Sequence, residues 1–448
     1  MQRSIKRNVE EVVKNHLCLC CGTCTAVCPQ NAINLVETTG GLLIPKVNDS
    51  TCNACGLCLK VCPGSHLEKG LLSPQTDPFR GNVIAAYCGQ AVDKDLLQNG
   101  QSGGIVTALL EHLLDSGLIN SAVVTQMPED GSLRPKSIVT ADRDAISKSQ
   151  SSKYCPVAVG AISQKALSQM GEKMAVVGLP CHIHGLANAQ SHLEGPTPLK
   201  IGLVCERMLT FGAIDYLVDK ANVNNEDVAF FQFKSKKFNG WPGDGYIRTK
   251  DGREFCIENR HRMSIKDIYT PARCRLCFDK MNVLCDLVAG DAWGVRENRQ
   301  GCSVVLVRTE RGGNALSAAQ KARAIKIENV DVETVFKGQA VEKKRRDWTL
   351  FTAIWQNSGM LAPELNIDSK WFGNIKGAAR RPYQNKINRA MNIANMTNGA
   401  EVLDAAKHQV CLNKICSYLS FRGLNRSFRK IFRLLNRAIR PKQPNLTR

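Results

Sequence analysis

Residues 18–29 read CLCCGTCTAVCP, and residues 52–63 read CNACGLCLKVCP. In both stretches two residues separate the first three motif cysteines, three residues separate the third from the fourth, and proline follows. The chain therefore contains an internal repeat whose spacing has a chemical reason. Three thiolates at this spacing wrap a loop around one iron–sulfur cubane, and the fourth, which we expect to begin a short helix, points at the other cluster. The repeat predicts two four-iron clusters.

The repeat resembles the bacterial-type two-cluster ferredoxin domain over residues 10–75. The resemblance implies that each [4Fe–4S] cluster takes three cysteines from one copy and one from the other. The implied ligands are Cys18, Cys21, Cys24 and Cys62 for one cluster, and Cys52, Cys55, Cys58 and Cys28 for the other. Cys20 is an extra thiol in this assignment. Zinc sites or a disulfide knot are the alternatives, but zinc more often binds two separate Cys-x2-Cys pairs.

Length and composition agree with a globular redox protein. The chain has 448 residues, of which 43% are apolar and 22% charged, so two or three folded domains are expected. The N-terminus lacks a signal-peptide core, and no run approaches the roughly 18 apolar residues of a membrane span. We therefore expect a cytoplasmic protein, in which the twenty cysteines indicate metal ligation or redox chemistry rather than disulfides.

After residue 82 the pattern changes to short apolar strands alternating with amphipathic helices, which predicts an α/β domain. Strands are predicted at 83–87, 122–125, 174–179, 200–204 and 303–307. Between the first two, Ser102, Gly103 and Gly104 precede a helix with apolar residues at positions 105, 106, 109, 110, 113 and 114. Free backbone N–H groups at such a turn suit a phosphate, although an ordinary Ser-capped helix start has the same sequence. A GxGxxG fingerprint for a standard NAD site is absent from the sequence.

A second group of cysteines follows the predicted strands. Cys181 lies in VVGLPCH after one strand, Cys205 lies in GLVC after the next, and Cys274 and Cys277 form a Cys-x2-Cys pair in ARCRLCFD. Cysteines at the carboxyl ends of neighbouring strands emerge at the same edge of a sheet, where the Cys-x2-Cys pair could meet them. Four thiolates from three segments suit zinc or a [4Fe–4S] cluster, and the spacing does not decide between these metals.

Five motifs in residues 82–345 resemble those of the family of the coenzyme F420 hydrogenase/dehydrogenase beta subunit, which also includes ferredoxin-linked chlorophyllide reductases. They are QSGGIVT (101–107), SSKY (151–154), VGLPCH (177–182), GLVC (202–205), and CRLCFD (274–279) running on to GDAWG (290–294). The resemblance implies an FAD next to a third [4Fe–4S] cluster. It also implies electron transfer between a two-electron donor or acceptor and iron–sulfur centres.

The same resemblance implies positions for both cofactors. The third cluster would be held by Cys181, Cys205, Cys274 and Cys277. The flavin would be held in part by Ser102, Gly103, Gly104, Thr107, Ser152, Lys153 and Tyr154. Lys153 would supply a cation for the phosphates; an exposed loop with a packed tyrosine is the alternative for Lys153 and Tyr154.

Two positions depart from the family pattern. Many relatives have a small apolar residue where this chain has Cys285, and a glutamine where it has His182. Cys285 could replace Cys181 or Cys205 as a ligand, but a buried thiol is favoured because free cysteine packs as a small hydrophobe. We take His182 as the candidate catalytic residue, because histidine titrates near neutrality and could donate a proton beside the flavin. A helix-start histidine satisfied by backbone groups is the competing interpretation.

These assignments predict three parts. Residues 1–78 form a small α+β ferredoxin-like domain, residues 79–345 an α/β flavin-binding domain, and residues 346–448 a basic, mainly helical C-terminal extension. The predicted function is an iron–sulfur flavoprotein oxidoreductase that moves electrons between a two-electron donor, such as reduced coenzyme F420, and one-electron centres. The alternatives are a ferredoxin-dependent reductase of an organic substrate and a non-catalytic electron-transfer subunit. In each case we expect a redox partner protein, either a ferredoxin or another oxidoreductase subunit.

The positive charge is concentrated near the C-terminus. Of the formal net charge of +20, most comes from residues 341–448, which hold 21 Lys or Arg and 6 Asp or Glu. The run KKRR at 343–346 is expected to be a solvated surface. A predicted helix near the end carries an apolar stripe of Phe428, Ile431, Phe432, Leu435 and Ile439 among basic residues. Residues 420–440 could contact the inner face of a membrane, an acidic partner or their own domain. No nucleic-acid-binding motif accompanies the charge.

Overall fold

A computed structural model describes residues 8–162, 173–192 and 197–421. The strands are β1 Ile33–Glu37, β2 Leu43–Val47, β3 Ala85–Ala91, β4 Ser121–Gln126, β5 Lys136–Thr140, β6 Met174–Gly178, β7 Leu199–Leu203, β8 Val228–Ser235, β9 Asp244–Thr249, β10 Glu254–Ile257, β11 Leu287–Asp291, β12 Ser303–Val307 and β13 Ile325–Asn329. The apolar stripe from Phe428 to Ile439 lies outside the described residues, so its membrane contact stays a prediction.

Helices connect the strands and follow them at the C-terminal end. They are α1 Glu10–Lys14, α2 Thr23–Ala26, α3 Leu57–Lys60, α4 Lys94–Asn99, α5 Ile105–Asp115, α6 Arg143–Lys148, α7 Pro180–Gln190, α8 Gly212–Lys220, α9 Asn259–Ile265, α10 Ala272–Arg275, α11 Glu310–Lys321, α12 Val332–Gly338, α13 Val341–Asn357, α14 Arg381–Ala394 and α15 Gly399–Phe421. In the described part of the chain, no helix combines the length and the apolar character that crossing a bilayer requires.

The N-terminal repeat folds as two cysteine loops joined by the antiparallel pair β1–β2. Each loop turns into its short helix at a glycine with positive φ, 81° at Gly22 and 73° at Gly56, a conformation that glycine adopts without steric cost. The expectation that the fourth cysteine begins the short helix is wrong. α2 and α3 end before Cys28 and Cys62, because proline follows each of these cysteines and disfavours helical backbone at the residue before it.

The central domain is built on an eight-stranded sheet of order β13-β3-β12-β11-β7-β6-β4-β5. The four strands β11, β7, β6 and β4 run parallel, and antiparallel strands flank them on both sides. All five predicted strands are confirmed, the first as β3, which begins two residues later than expected. The predicted helix after the Ser-Gly-Gly turn is α5. Together with α11 it packs against one face of the sheet, and α7 packs against the other. The α/β prediction for this region is therefore confirmed.

A separate antiparallel sheet, β10-β9-β8, was not expected from the sequence. Phe231 and Phe233 of β8 and Ile247 of β9 are fully buried against helices α8, α9 and α15. Lys234 of β8 bonds Asp291 at the end of β11 in the main sheet. The second sheet therefore covers one side of the central domain.

Helix α13 connects the central domain to the N-terminal repeat. Its Leu350, Ile354 and Trp355 belong to the same buried core as residues of both N-terminal cysteine loops. The expectation that the KKRR run is solvated is wrong for Lys344 and Arg345, which are 7% and 9% exposed. Helical periodicity places them on the buried face of α13, where Arg345 donates to Asp77 at 2.5 Å. The boundary predicted at residue 345 falls inside this continuous helix.

Candidate functional site

A cavity of about 360 Å³ opens at the carboxyl edge of the parallel strands. Residues at the ends of all four strands border it, namely Thr125, Gly178, Cys205 and Asp291. Ligands of α/β folds collect at this edge, and the volume is within the usual range for small-molecule sites. Six of the seven residues predicted to contact a flavin line this cavity: Ser102, Gly104, Thr107, Ser152, Lys153 and Tyr154. Residues far apart in sequence are thus brought to a single cavity.

The seventh residue, Gly103, packs against the sheet instead. Its N–H donates to the Ser303 hydroxyl at 2.9 Å, and its carbonyl accepts from the N–H of Ala91 at 2.6 Å. A Cβ at position 103 would collide with the Gly89 carbonyl. Gly103 therefore positions the turn, whereas Gly104, with φ of 72°, caps α5. The first-turn N–H groups of α5 lack intrahelical acceptors, and they are the donors that this turn offers to a ligand.

Lys153 uses all its donors within its own turn. Its ammonium donates to the carbonyls of Ser149 at 2.5 Å, Gln150 at 2.6 Å and Ser151 at 3.0 Å. Burial lowers the pKa of this lysine to about 7. Lys153 therefore stabilises the loop that forms the cavity wall, and its predicted contact with phosphates would require one of these bonds to break. Tyr154 packs edge-on against Phe233, with ring centroids 5.7 Å apart.

His182 lies at the start of α7 and is 6% exposed. Its Nδ1 accepts a hydrogen bond from the Leu179 N–H at 3.1 Å, so the neutral ring carries its hydrogen on Nε2. Burial lowers the pKa of His182 to about 4. A neutral imidazole that caps a helix and also bonds the Val157 backbone matches the competing interpretation, although His182 lines the cavity. The neighbouring His184 is bonded to Asp279 at 2.8 Å, and both side chains are buried.

The second group of cysteines converges next to the cavity. Cys181 begins α7 after β6, Cys205 follows β7, and Cys274 and Cys277 lie in and just after α10. Burial raises the pKa of Cys181, and the nearby thiols of the other three raise it further. Because Cys205 also borders the cavity, a molecule bound there would be adjacent to whatever these thiols hold.

The spacing of these side chains differs from that of a single-ion site. Within the described ranges, no three His, Cys, Asp or Glu side chains converge closely enough to bind one metal ion. Ligands of a cubane surround four irons and therefore stand further apart than ligands of one zinc ion. All cysteines described by the structure are free thiols, which does not support a disulfide knot.

Cys285 lies apart from this group. Its thiol donates to the Asn282 carbonyl at 2.9 Å, its side chain is 2% exposed, and burial raises its pKa to about 12. It packs beneath the sheet against Gly202, where a Cβ would come within 2.7 Å of the sulfur. These contacts favour the buried thiol over the alternative ligand.

The N-terminal cysteines are arranged in two crossed sets. Cys28 from the first copy lines one hollow together with cysteines 52, 55 and 58 of the second copy. Conversely, burial raises the pKa of Cys62 to about 12, and the neighbouring Cys21 and Cys18 of the first copy contribute. This crossing agrees with the ligand sets that the ferredoxin resemblance implies. Cys20 is buried, and its N–H donates to the Cys18 sulfur at 3.4 Å.

The first cysteine loop is docked closely on the central domain. The Cys21 carbonyl accepts from the Gly160 N–H at 2.8 Å, and Thr23 is completely buried. A Cβ at Gly160 or at Gly185 of α7 would collide with the Thr23 hydroxyl. Glycine at both positions thus allows the loop to approach α7, on which Cys181 lies. The set containing Cys62 therefore lies beside the second group of cysteines.

Several charged residues at the cavity were missed by the sequence analysis. Lys234 of β8 bonds Asp291 at 3.1 Å, and both side chains are largely buried. Burial acts to raise the pKa of Glu206, but Lys344 and Lys280 outweigh it and lower that pKa to about 2. Asp291 belongs to the GDAWG motif, which could have signalled it. Lys234 has no motif and comes from a sheet that the strand pattern did not reveal.

The chain matches models of known families in three segments. Two of the models describe the coenzyme F420 hydrogenase/dehydrogenase beta subunit: residues 86–163 match the model of its N terminus, and residues 171–333 match the model of its C terminus. Residues 17–65 match a 4Fe-4S dicluster domain. The two models of the beta subunit together span more than half of the chain.

Individual relatives share little sequence identity with this chain. The coenzyme F420-dependent sulfite reductase of Methanocaldococcus jannaschii is 25% identical over 425 residues, which cover 90% of this chain but only 63% of that protein. The F subunit of the F(420)H(2) dehydrogenase of Methanosarcina mazei is 27% identical over 348 residues, or 75% of this chain and 92% of that one. A solved chain of the F420-reducing [NiFe] hydrogenase complex from Methanosarcina barkeri aligns with a TM-score of 0.46 and 22% identity over 60% of this chain and 94% of that one. From the family models, the chain belongs to the family of the coenzyme F420 hydrogenase/dehydrogenase beta subunit and carries an N-terminal 4Fe-4S dicluster domain.

Proposed function

We propose that this protein is an iron–sulfur flavoprotein oxidoreductase. It moves electrons between a two-electron donor, such as reduced coenzyme F420, and one-electron centres through an FAD in the central cavity. The observation that carries the proposal is that Cys205 belongs both to the convergent cysteines and to the cavity wall. A redox molecule in the cavity would therefore be next to a cluster held by Cys181, Cys205, Cys274 and Cys277.

The cavity residues fit an FAD. The first turn of α5 offers backbone N–H donors to phosphate, and Thr107 and Ser152 line the same cavity with hydroxyl groups, whereas the Ser102 hydroxyl is bonded to that of Ser303 at 2.8 Å. Apolar side chains suited to a flat ring line the cavity, from strands β4, β6 and β7 and from the segment after loop 149–154: Val124, Val177, Leu203, Val157 and Val159. A bound flavin supplies the exchange between two-electron and one-electron chemistry.

The protein's own residues position and shield this exchange. His182, neutral at physiological pH, fixes the start of α7 at the cavity wall, and the Lys234–Asp291 ion pair ties β8 to the strand ends. The buried strand ends and loop 149–154 exclude water from the inner side. No protein nucleophile is required for electron transfer.

The three cysteine sets suggest a path from the cavity to the surface. The central set borders the cavity, the set containing Cys62 lies next to it, and the set containing Cys55 is outermost, since Cys55 is exposed. We propose that a redox partner, either a ferredoxin or another oxidoreductase subunit, docks near Cys55. A relative whose name designates it as part of a dehydrogenase with several subunits is consistent with such a partner.

The test is the cofactor content of protein purified without oxygen. Three four-iron clusters and one flavin predict about twelve irons, as many acid-labile sulfides and about one FAD per chain. The loaded protein should then oxidise reduced F420 with a viologen dye as acceptor. Zinc in place of iron, or the absence of flavin, would overturn the proposal.

A second candidate is a ferredoxin-dependent reductase of an organic substrate. It is favoured by Trp293, which lines the cavity, is 37% exposed and packs on Trp241 with ring centroids 4.2 Å apart. This aromatic surface suits a planar substrate. Turnover of an organic acceptor with reduced ferredoxin, without reaction with F420, would favour this candidate. If neither donor reacts at the flavin, the chain is an electron-transfer subunit without its own substrate.

A further inference from the structure

Arg273 is a buried cation between two of the cysteine sets. It precedes Cys274 in α10 and is 3% exposed. Its Nε donates to the Gly64 carbonyl at 3.0 Å and its Nη2 to the Pro63 carbonyl at 3.1 Å. Pro63 directly follows Cys62 of the N-terminal repeat. The side chain therefore spans from the central set of cysteines to the neighbouring set.

The guanidinium of Arg273 is incompletely satisfied by the protein alone. Its Nη1 is buried and has no hydrogen-bond partner among the described residues. The groups that act on its charge are the thiols of Cys277, Cys274, Cys62 and Cys181, in that order, and its two side-chain bonds go to neutral carbonyls. A buried charge without a counter-charge is costly, so an anionic partner at this position would offset the cost.

Lys344 provides an internal comparison, because it is a second buried cation near the central set. It is 7% exposed on α13, and its charge acts on Cys205 and Cys277. Unlike Arg273, it has a carboxylate nearby, since its charge also helps to lower the pKa of Glu206. Lys344 thus faces one set of cysteines, whereas Arg273 faces two.

We propose that Arg273 lies beside two [4Fe–4S] clusters and that its positive charge stabilises the reduced form of both. The inference rests on the proposed function, since it assumes clusters at Cys18, Cys21, Cys24 and Cys62 and at Cys181, Cys205, Cys274 and Cys277. Reduction adds one electron to a cluster that is already anionic. A fixed cation and an available N–H donor beside the sulfurs stabilise that added charge, which raises the reduction potential.

The experiment compares Arg273→Gln, Arg273→Lys and Lys344→Gln in the full-length, cluster-loaded protein. Midpoint potentials are measured by redox titration monitored by electron paramagnetic resonance. Arg273→Gln should lower the potentials of two clusters, each by about a tenfold change in the reduction equilibrium, which for one electron is about 59 mV. Arg273→Lys keeps the charge and should shift both potentials by less than half as much. Lys344→Gln should shift one cluster only.

Arg308→Gln is the matched control. Arg308 is 4% exposed and, like Arg273, donates to backbone carbonyls, those of Arg80, Asn82 and Met281. Its substitution removes a comparable buried guanidinium that bonds neither cysteine loop, and it should leave all three potentials unchanged. A shift of the same size in Arg308→Gln would show that the effect is structural and would overturn the proposal.

Each remaining outcome either supports the proposal or overturns it. If Arg273→Gln retains its iron and both potentials, the proposal is wrong. If Arg273→Gln does not assemble its clusters, Arg273→Lys decides: full iron content with potentials near those of the wild type supports the role of charge. Failure of Arg273→Lys to assemble would mean that the bonds to Pro63 and Gly64 are the whole role. If the wild-type protein itself holds only two clusters, the proposed function fails before this inference is tested.

Discussion

The N-terminal cysteine repeat and the central cysteine set hold their thiols in different ways. In the repeat, two short loops and two glycine turns place most of the cysteines, and the crossed fourth ligand comes from within about forty residues. The central set is collected from three segments that only the parallel sheet and α10 bring together. The repeat is therefore a local structure, whereas the central set depends on the fold of the whole domain. Changes that disturb the fold should affect the central set first.

The largest expected effect comes from removing one central thiol. Cys205→Ser should lower the iron content by about four atoms per chain and reduce electron transfer from the cavity to an outer acceptor to background, because one thiolate of a four-iron cluster is lost. The N-terminal clusters should keep their spectra. Iron analysis and viologen reduction measure both effects.

Cys285→Ser is the control for this variant. It changes a buried thiol that bonds Asn282 and should retain the full iron content. Loss of iron in Cys285→Ser, with iron retained in Cys205→Ser, would show that Cys285 is the ligand and that our central set is misassigned.

A smaller effect is expected where the two regions meet. Gly185→Ala places a Cβ against the Thr23 hydroxyl, and overpacking of this kind costs about 1–3 kcal/mol. We expect lower thermal stability and slower electron transfer between the inner clusters, while both iron sets remain bound. Adding Thr23→Ala should recover much of the loss, because it removes the colliding hydroxyl.

The control for the interface is Gly399→Ala, since a Cβ at position 399 meets no atom within 4 Å. Melting temperatures of the wild type, the two single variants at positions 23 and 185 and the double variant, measured anaerobically, form a double-mutant cycle. Additive losses for positions 23 and 185 would mean that this contact does not couple the two regions.

The smallest effect concerns His182 and depends on pH. Its pKa is about 4 in the folded protein against 6.5 when unperturbed, so the unfolded chain binds its proton first as the pH falls. The stability from this group is present above pH 6.5 and is lost as the pH falls towards 4. Between pH 7 and pH 5.5 the loss is about 1 kcal/mol.

His182→Gln should remove this pH dependence from the unfolding free energy and change electron transfer at pH 7 by less than tenfold. Anaerobic unfolding at several pH values and the viologen assay measure the two quantities. A fall of about a hundredfold or more in turnover, typical of a lost acid or base, would identify His182 as catalytic after all.

What the sequence predicted follows the same division between local and distant structure. The cysteine repeat was readable because its spacing is local, whereas the cavity residues were named only through the resemblance of their motifs to those of the beta subunit family. The hydrogen bonds of Lys153 were not predictable, since they depend on the curvature of one loop. The burial of Lys344 and Arg345 was missed because four consecutive basic residues indicate solvent unless the packing of α13 is known.

The glycine-lined contact around Thr23 has a consequence for modularity. Ferredoxin domains are often regarded as interchangeable, but this one packs against the central domain at two positions where a side chain would collide with it, Gly160 and Gly185. A ferredoxin domain from another protein, fused to residues 79–421, should pack correctly only if it carries threonine or a smaller residue at position 23. Exchange of the N-terminal unit between relatives would thus require both halves of the contact to change together.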